Sequence, residues 1–257
     1  MNNTFDKIGR SNILRVINKE TMIQINNSIR DVLVEIENLV KIKKDENKKK
    51  INDLIISIFL DKKIRELGSR EYHEEVYIPK FKKILNIENL IPYPLLPFSV
   101  RINIPGYNEF SSGWHQDRAS FLYGSGKNFW YKSFAMWIAI TEADQNNGVE
   151  FFDKDHYEEK IYNSHFRVSE RHKKIQYYRS DLPKKPINVF KSSFDYGEGI
   201  VFDSLIFHRT APEPKKTRIS FDLRVFCPEK KYKVMKAEVK LRIKRFLFEK
   251  FDIRLLS

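Results

Sequence analysis

A single cysteine, Cys227, excludes any intramolecular disulfide, so nothing in the chain requires an oxidising compartment. Long apolar runs are missing too. The longest apolar stretches, 54–60 and 90–100, are shorter than the ~20 residues of a membrane span, and the second is broken by Pro92, Pro94 and Pro97. The opening segment MNNTFDKIGRSN has no apolar core of the kind a secretory signal carries. Internal repeats and Gly/Ser/Pro linkers are also lacking. These absences predict a soluble, cytoplasmic protein without a membrane span.

Aromatic and aliphatic side chains are plentiful. Hydrophobic residues make up 41% of the 257, including 20 Phe, 12 Tyr and 3 Trp, which excludes a disordered chain and suffices for one folded unit with a sizeable core. The net charge is +13, and the segment 229–257 carries +6 of it, with ten Lys/Arg against four Asp/Glu. Such an excess attracts nucleic acid, an anionic membrane surface or an acidic small molecule. A lysine-rich solvated surface is the plainer reading.

Three regions are distinguishable. In 1–98, apolar residues at Met22, Ile25, Ile29, Val32, Leu33, Ile36, Leu39 and Val40 recur at helical spacing, predicting an amphipathic helix over 22–40. The polar run 41–50 reads as a connection and 51–67 as a second helix, together a helical layer packed on a β-rich core. Residues 99–228 supply that core, with candidate strands at 99–104, 112–117, 134–141, 149–153, 187–190, 199–203 and 217–226 separated by turn residues. That texture predicts a mainly β fold with α: a double-stranded β-helix, or jelly roll, with an irregular insertion at 154–186 over its mouth. The basic segment 229–257 reads as a helix packed on the barrel.

Chemistry gathers in two segments. In GWHQDRAS, His115 and Asp117 stand two apart, so on a strand both face one way and reach one ion. A second imidazole would complete the two-histidine, one-carboxylate facial triad that leaves three coordination positions open. Alone, such a pair is common by chance. In GEGIVFDSLIFHRTAPEPKKTRISFDLRV, His208 supplies that imidazole, and ten residues later comes Arg218-Ile219-Ser220. That interval lets the chain turn and return on the neighbouring strand, facing the metal. A planar guanidinium pairs with both oxygens of a diacid's far carboxylate, and Ser220, on the same strand face, donates a hydroxyl to it.

These residues resemble the iron(II)/2-oxoglutarate-dependent oxygenase superfamily, most of all its phytanoyl-CoA dioxygenase-like branch. The resemblance runs over about half the chain, from Arg101 to Phe226. It rests on His115-Gln116-Asp117, on Trp137 followed by Asn147-Gly148-Val149, and on Gly197-Glu198, Phe202, His208-Arg209-Thr210 and Arg218-Ile219-Ser220. It implies iron(II) held by His115, Asp117 and His208, with 2-oxoglutarate and dioxygen as cosubstrates. By the same resemblance Thr210 stands where a hydroxyl often contacts the cosubstrate. Related halogenases lack the carboxylate, so Asp117 implies hydroxylation or another two-electron oxidation. The sequence departs from the branch after the Asn-Gly turn, where Phe151-Phe152-Asp153 replaces a Pro-Gly-Ser-His ending.

Other residues carry weaker signals. Arg101 and Asn103 alternate along the strand before the iron motif, so one of them faces the pocket. Arg101 is a candidate for an anionic substrate group, against the commoner surface ion pair. Trp130 is a candidate pocket wall, against ordinary loop packing. Arg224, six residues past Arg218 on the same face, is an alternative anchor or a substrate-carboxylate clamp. Trp137 reads as core, because Phe134, Met136, Ile138 and Ile140 around it read as a buried strand. His156, His165 and His172 lack a carboxylate at i+2 and read as hydrogen-bonded histidines. The substrate expected is a small molecule, anionic or carrier-linked. Two rivals remain: a catalytically silent jelly-roll binding module, and an oxygenase acting on nucleic acid, for which no recognition motif is present.

Overall fold

The helical spacing of Met22, Ile25, Ile29 and Ile36 is realised as helix α1 (Lys19–Ile42), with all four side chains buried. The Asn18 side chain accepts from the Thr21 backbone N–H at 2.7 Å and caps its first turn. The computed structural model describes residues 5, 8–42, 47–92, 98–105, 113–117, 131–152, 162, 164–168, 176–182, 188–211 and 216–228. The single helix expected at 51–67 is two, α2 (Asn47–Leu60) and α3 (Lys62–Leu67). Asp61 divides them, because its carboxylate accepts from the Lys63 and Ile64 N–H groups at 2.9 and 3.1 Å and starts a new helix. Helical structure then continues beyond the expected range. A short helix α4 (Arg70–Tyr72) leads through a π-helical turn, His73–Tyr77, into α5 (Ile78–Leu85), which ends at Asn86 in the left-handed region.

The strands are β1 (Leu14–Arg15), β2 (Ile91–Pro92), β3 (Phe98–Asn103), β4 (Tyr131–Ala139), β5 (Val149–Phe152), β6 (Ser164–Val168), β7 (Gln176–Ser180), β8 (Val189–Phe190), β9 (Glu198–Asp203), β10 (His208–Thr210) and β11 (Arg218–Pro228). Among the described residues a six-stranded sheet runs β1-β9-β4-β11, with β11 pairing both β2 and β3 on its far side. A second sheet is β10-β5-β8, and β6 and β7 form a separate hairpin. Every pairing is antiparallel. This is the jelly-roll architecture the strand texture predicts. The β6–β7 hairpin lies inside the insertion read as irregular. The segment expected as strand 112–117 contributes only an isolated bridge, His115 to His208. The tail 229–257 lies outside the described residues.

Alternation along two central strands divides the interior. On β4, Phe134, Met136 and Ile138 join one core cluster with Met22, Ile25, Ile29, Phe81 and the β11 residues Ile219, Phe221, Leu223 and Val225. This is the seam between the large sheet and the helices. Burying each such side chain contributes roughly 1.5–3 kcal/mol. The alternate residues Ala135, Trp137 and Ala139 face the other way and join Val149, Phe151, Ile200 and Phe202. Gly199 lets β9 lie against β4 at this seam, since a Cβ there would stand 2.5 Å from the Trp137 carbonyl oxygen. On β11 the residues alternating with the core set are Arg218, Ser220, Asp222 and Arg224. Four polar side chains therefore point between the sheets. No helix among the described residues is long and apolar enough to cross a membrane.

Candidate metal centre and cosubstrate cleft

His115 and His208 are joined by reciprocal backbone hydrogen bonds, each N–H donating to the other's carbonyl at 3.0 Å. This bridge sets the two imidazoles side by side, ring centroids 4.2 Å apart. Each Nδ1 lies against a backbone carbonyl, Gly113 at 2.8 Å for His115 and Ile206 at 3.2 Å for His208. An Nδ1–H donated there leaves Nε2 as the lone-pair nitrogen, the form that ligates a metal. Both Nε2 atoms face Asp117 Oδ1, at 3.6 and 3.8 Å. The three donors lie within 4.8 Å of one another. Two ligands bound about 2.1 Å from a common ion stand roughly 3–4 Å apart. The observed spacing fits one divalent ion.

The electrostatics favour the ligating protonation states. Burial, reinforced by the neighbouring His115, lowers the His208 pKa to about 4, so its imidazole is neutral at pH 7. Burial works to raise the Asp117 pKa, but the Arg224 guanidinium foremost holds the carboxyl well below its usual range. Arg224 grips both oxygens: Nε to Oδ2 at 3.1 Å and Nη2 to Oδ1 at 3.2 Å. In this structure Arg224, which lines the cleft, meets Asp117. The charge of Asp117 is thus compensated before any metal enters. Replacing Arg224 with methionine should lower the thermal midpoint of the metal-free protein and widen the gap between metal-free and manganese-loaded midpoints, as the ion takes over the compensation the guanidinium supplied. Paired thermal unfolding curves check this, and an unchanged gap refutes it.

Arg218 is 2% exposed and lines the same cleft as the three donors. Its Nη1 donates to the Gly148 carbonyl at 3.1 Å, and its guanidinium carbon sits 5.2 Å from the Trp137 ring centroid. Gly148 immediately precedes β5, on which Val149 pairs Thr210 and Phe151 pairs His208. About three strand residues therefore separate the Arg218 guanidinium from the level of His208, roughly 10 Å at strand rise. Burial lowers the Arg218 pKa to about 10, which leaves it cationic at pH 7. The expectation that His208 and Arg218 sit on neighbouring strands is corrected: β10 belongs to the small sheet and β11 to the large one. They face each other across the cleft.

Ser220 is fully buried on the inward face of β11, and Thr210 lines the cleft from β10. Arg101 lines the cleft as well, half exposed, with Nε donating to Asp222 Oδ2 at 2.9 Å. Trp137, buried in the core cluster as its sequence reading expects, also contributes to the cleft wall. Phe134, Met136 and Ile138 face the helices, and Trp137 faces away from them. Asn103 is 2% exposed and pairs with Arg218 across β3 and β11. Trp130, His156 and His172 lie outside the described residues.

Three contributors were given no role of their own in the sequence reading. Asp222 lines the cleft, and its position four residues past Arg218 on a strand was the available signal. Gln116, pointing away from the ion site, donates to the Leu205 carbonyl at 2.6 Å and accepts from the Tyr162 N–H at 2.8 Å, pinning the 113–117 segment. Glu150, 1% exposed, accepts from Arg209 at 2.6 Å and fixes β10 beside β5.

The donor set suits iron(II), since imidazole and carboxylate ligands on one face match its facial triad. The cleft suits 2-oxoglutarate, because Arg218 Nε and Ser220 Oγ are buried without any hydrogen-bond partner. No protein-family model and no curated protein matches the chain. Solved structures do. EvdO2 from Micromonospora carbonacea var. aurantiaca, complexed with 2-oxoglutarate, superposes with a TM-score of 0.53 at 13% identity, over 86% of this chain and 87% of that one. ThoJ in its apo form, a non-haem monooxygenase, gives 0.50 at 12% identity, over 94% and 95%. The likeness is one of fold: the chain shares the jelly roll of the 2-oxoglutarate-bound EvdO2 and of the monooxygenase ThoJ.

Proposed function

We propose that the chain is a non-haem iron(II)- and 2-oxoglutarate-dependent dioxygenase of the phytanoyl-CoA dioxygenase-like kind, hydroxylating a small metabolite. One observation carries this reading. A buried arginine with an unpartnered Nε lines the same cleft as three convergent metal donors. A silent binding module has no need of either feature, and a metal-only role leaves the arginine unexplained. The fold shared with 2-oxoglutarate-bound EvdO2 supports the same choice.

With iron(II) and 2-oxoglutarate bound, one oxygen atom of dioxygen enters succinate, the other enters the substrate C–H bond as hydroxyl, and carbon dioxide leaves. The protein's part is placement. His115, Asp117 and His208 would hold the ion through three donors and leave its other positions open to the cosubstrates. As a ligand, Asp117 would take the position that a halide would need, which favours hydroxylation over halogenation. Arg218 and Ser220 would hold the far carboxylate of the diacid and direct its keto acid end toward the three donors. Trp137, Phe202 and Val149 wall the cleft and keep water from the reacting centre. Arg101, at the solvent-facing edge, is the residue placed to meet an anionic group on the substrate.

Addition of iron(II) and 2-oxoglutarate to the anaerobic protein should produce a weak visible charge-transfer band, and admitting oxygen should release succinate. No band and no succinate, with metal demonstrably bound, would count against the reading and favour a silent module.

A further inference from the structure

Four buried polar atoms crowd the junction of β3 and β11 without partners: Arg218 Nε, Ser220 Oγ, and both Nδ2 and Oδ1 of Asn103. Asn103 and Arg218 are direct cross-strand partners, and Ser220 pairs with Arg101, the next inward residue of β3. Asn103 lies two residues from Arg101, which lines the cleft, so its side chain is on the cleft side. Ile102 and Ile104, between and beyond them, join the core cluster beneath the helices. A buried amide with neither donor nor acceptor satisfied is costly, and native proteins keep few such groups. Retaining one beside an unsatisfied guanidinium and hydroxyl makes sense if one ligand serves all three. A carboxylate does so, because its two oxygens accept several hydrogen bonds at once.

We propose that Asn103 is the third arm of the cosubstrate clamp, its Nδ2 donating to the same far carboxylate that Arg218 and Ser220 hold. This reassigns Asn103 from substrate to cosubstrate recognition, and it rests on the reading of the cleft as a 2-oxoglutarate site. The arms divide the work. Arg218 supplies charge, Ser220 a hydroxyl, and the amide a donor fixed by strand pairing, which selects a diacid over a 2-oxo monoacid.

The test is Asn103→Leu, close in volume and without polar atoms. Two measurements are made beside the unaltered protein: the dissociation constant of 2-oxoglutarate with manganese bound under anaerobic conditions, and the thermal midpoint without metal or ligand. The expected result is a dissociation constant raised about tenfold to hundredfold, the range for a lost hydrogen bond to a charged group. Manganese affinity should be unchanged, and the ligand-free midpoint equal to or above that of the unaltered protein. The stability readout separates clamp from scaffold. An asparagine that served the fold would lower the midpoint, and that outcome overturns the proposal. So does a 2-oxoglutarate dissociation constant within twofold of the original. Asn103→Asp, which sets like charges together, should weaken 2-oxoglutarate further while sparing manganese. If the unaltered protein binds manganese but no 2-oxoglutarate, the cleft reading itself fails and the clamp falls with it. If it binds both and the variants match it, only the role of Asn103 is lost.

Discussion

Replacing Arg218 with methionine should weaken 2-oxoglutarate binding by roughly a hundredfold to ten-thousandfold, the loss of two hydrogen bonds to a charged group at about 1.5–3 kcal/mol each. The geometry gives reasons for the size. The guanidinium is buried, held by the Gly148 carbonyl and the Trp137 face, and its Nε has no protein partner. Its orientation is therefore set before a ligand arrives. Fold stability should change little. The Gly148 carbonyl keeps a second donor, the Ala211 N–H at 3.0 Å, and methionine fills the volume without a charge to desolvate. Lysine should not rescue binding, since an ammonium cannot present two parallel donors from this position. Manganese affinity should survive in both variants. Calorimetric titration of 2-oxoglutarate into manganese-loaded protein decides it, and a change below fivefold would remove Arg218 from the site.

The sequence made some of this legible for identifiable physical reasons. A strand repeats every two residues, so the run Arg218, Ser220, Asp222, Arg224 against Ile219, Phe221, Leu223, Val225 showed two faces of opposite character. The structure puts one in the cleft and the other under the helices. The triad residues were visible because unusual chemistry recurred in two segments at family spacing. Trp137 is core as expected, but because β4 is apolar on both faces, alternation could not say which of the two clusters it joins. The partner of Arg224 was unreadable for a different reason. Its inward direction follows from the strand period, but Asp117 reaches it from a segment held by one bridge and by Gln116, a tertiary arrangement with no local periodicity. The division at Asp61 did have a local signal, an acidic residue before KKIREL, and went unread beneath a continuous apolar pattern. Helix α5 carries Pro79 in its first turn, where a proline is tolerated because an N–H at that position has no helical partner.

Asp117→Ala should abolish succinate release and also destabilise the metal-free protein, and separating the two effects tests whether Asp117 is a ligand. The carboxylate is 4% exposed and pairs with an Arg224 side chain that is 13% exposed. Removing the carboxylate breaks both hydrogen bonds that Arg224 makes to Asp117 in this buried pair, at about 3–5 kcal/mol. For a chain of this size that corresponds to a midpoint lower by about 10 °C. Activity could thus vanish through unfolding alone. The double variant Asp117→Ala/Arg224→Met removes both charges, so the midpoint should return to within a few degrees of the original. Metal binding should not return with it. A facial site reduced to two imidazoles loses its hard oxygen donor and its only negative charge, so divalent-ion affinity should stay depressed by at least about a thousandfold, on the order of 4 kcal/mol. Stability restored without metal affinity identifies Asp117 as a ligand, with Arg224 as its counterion in the metal-free state. Restoration of both would mean that the two histidines suffice and that the Asp117–Arg224 pair serves the fold.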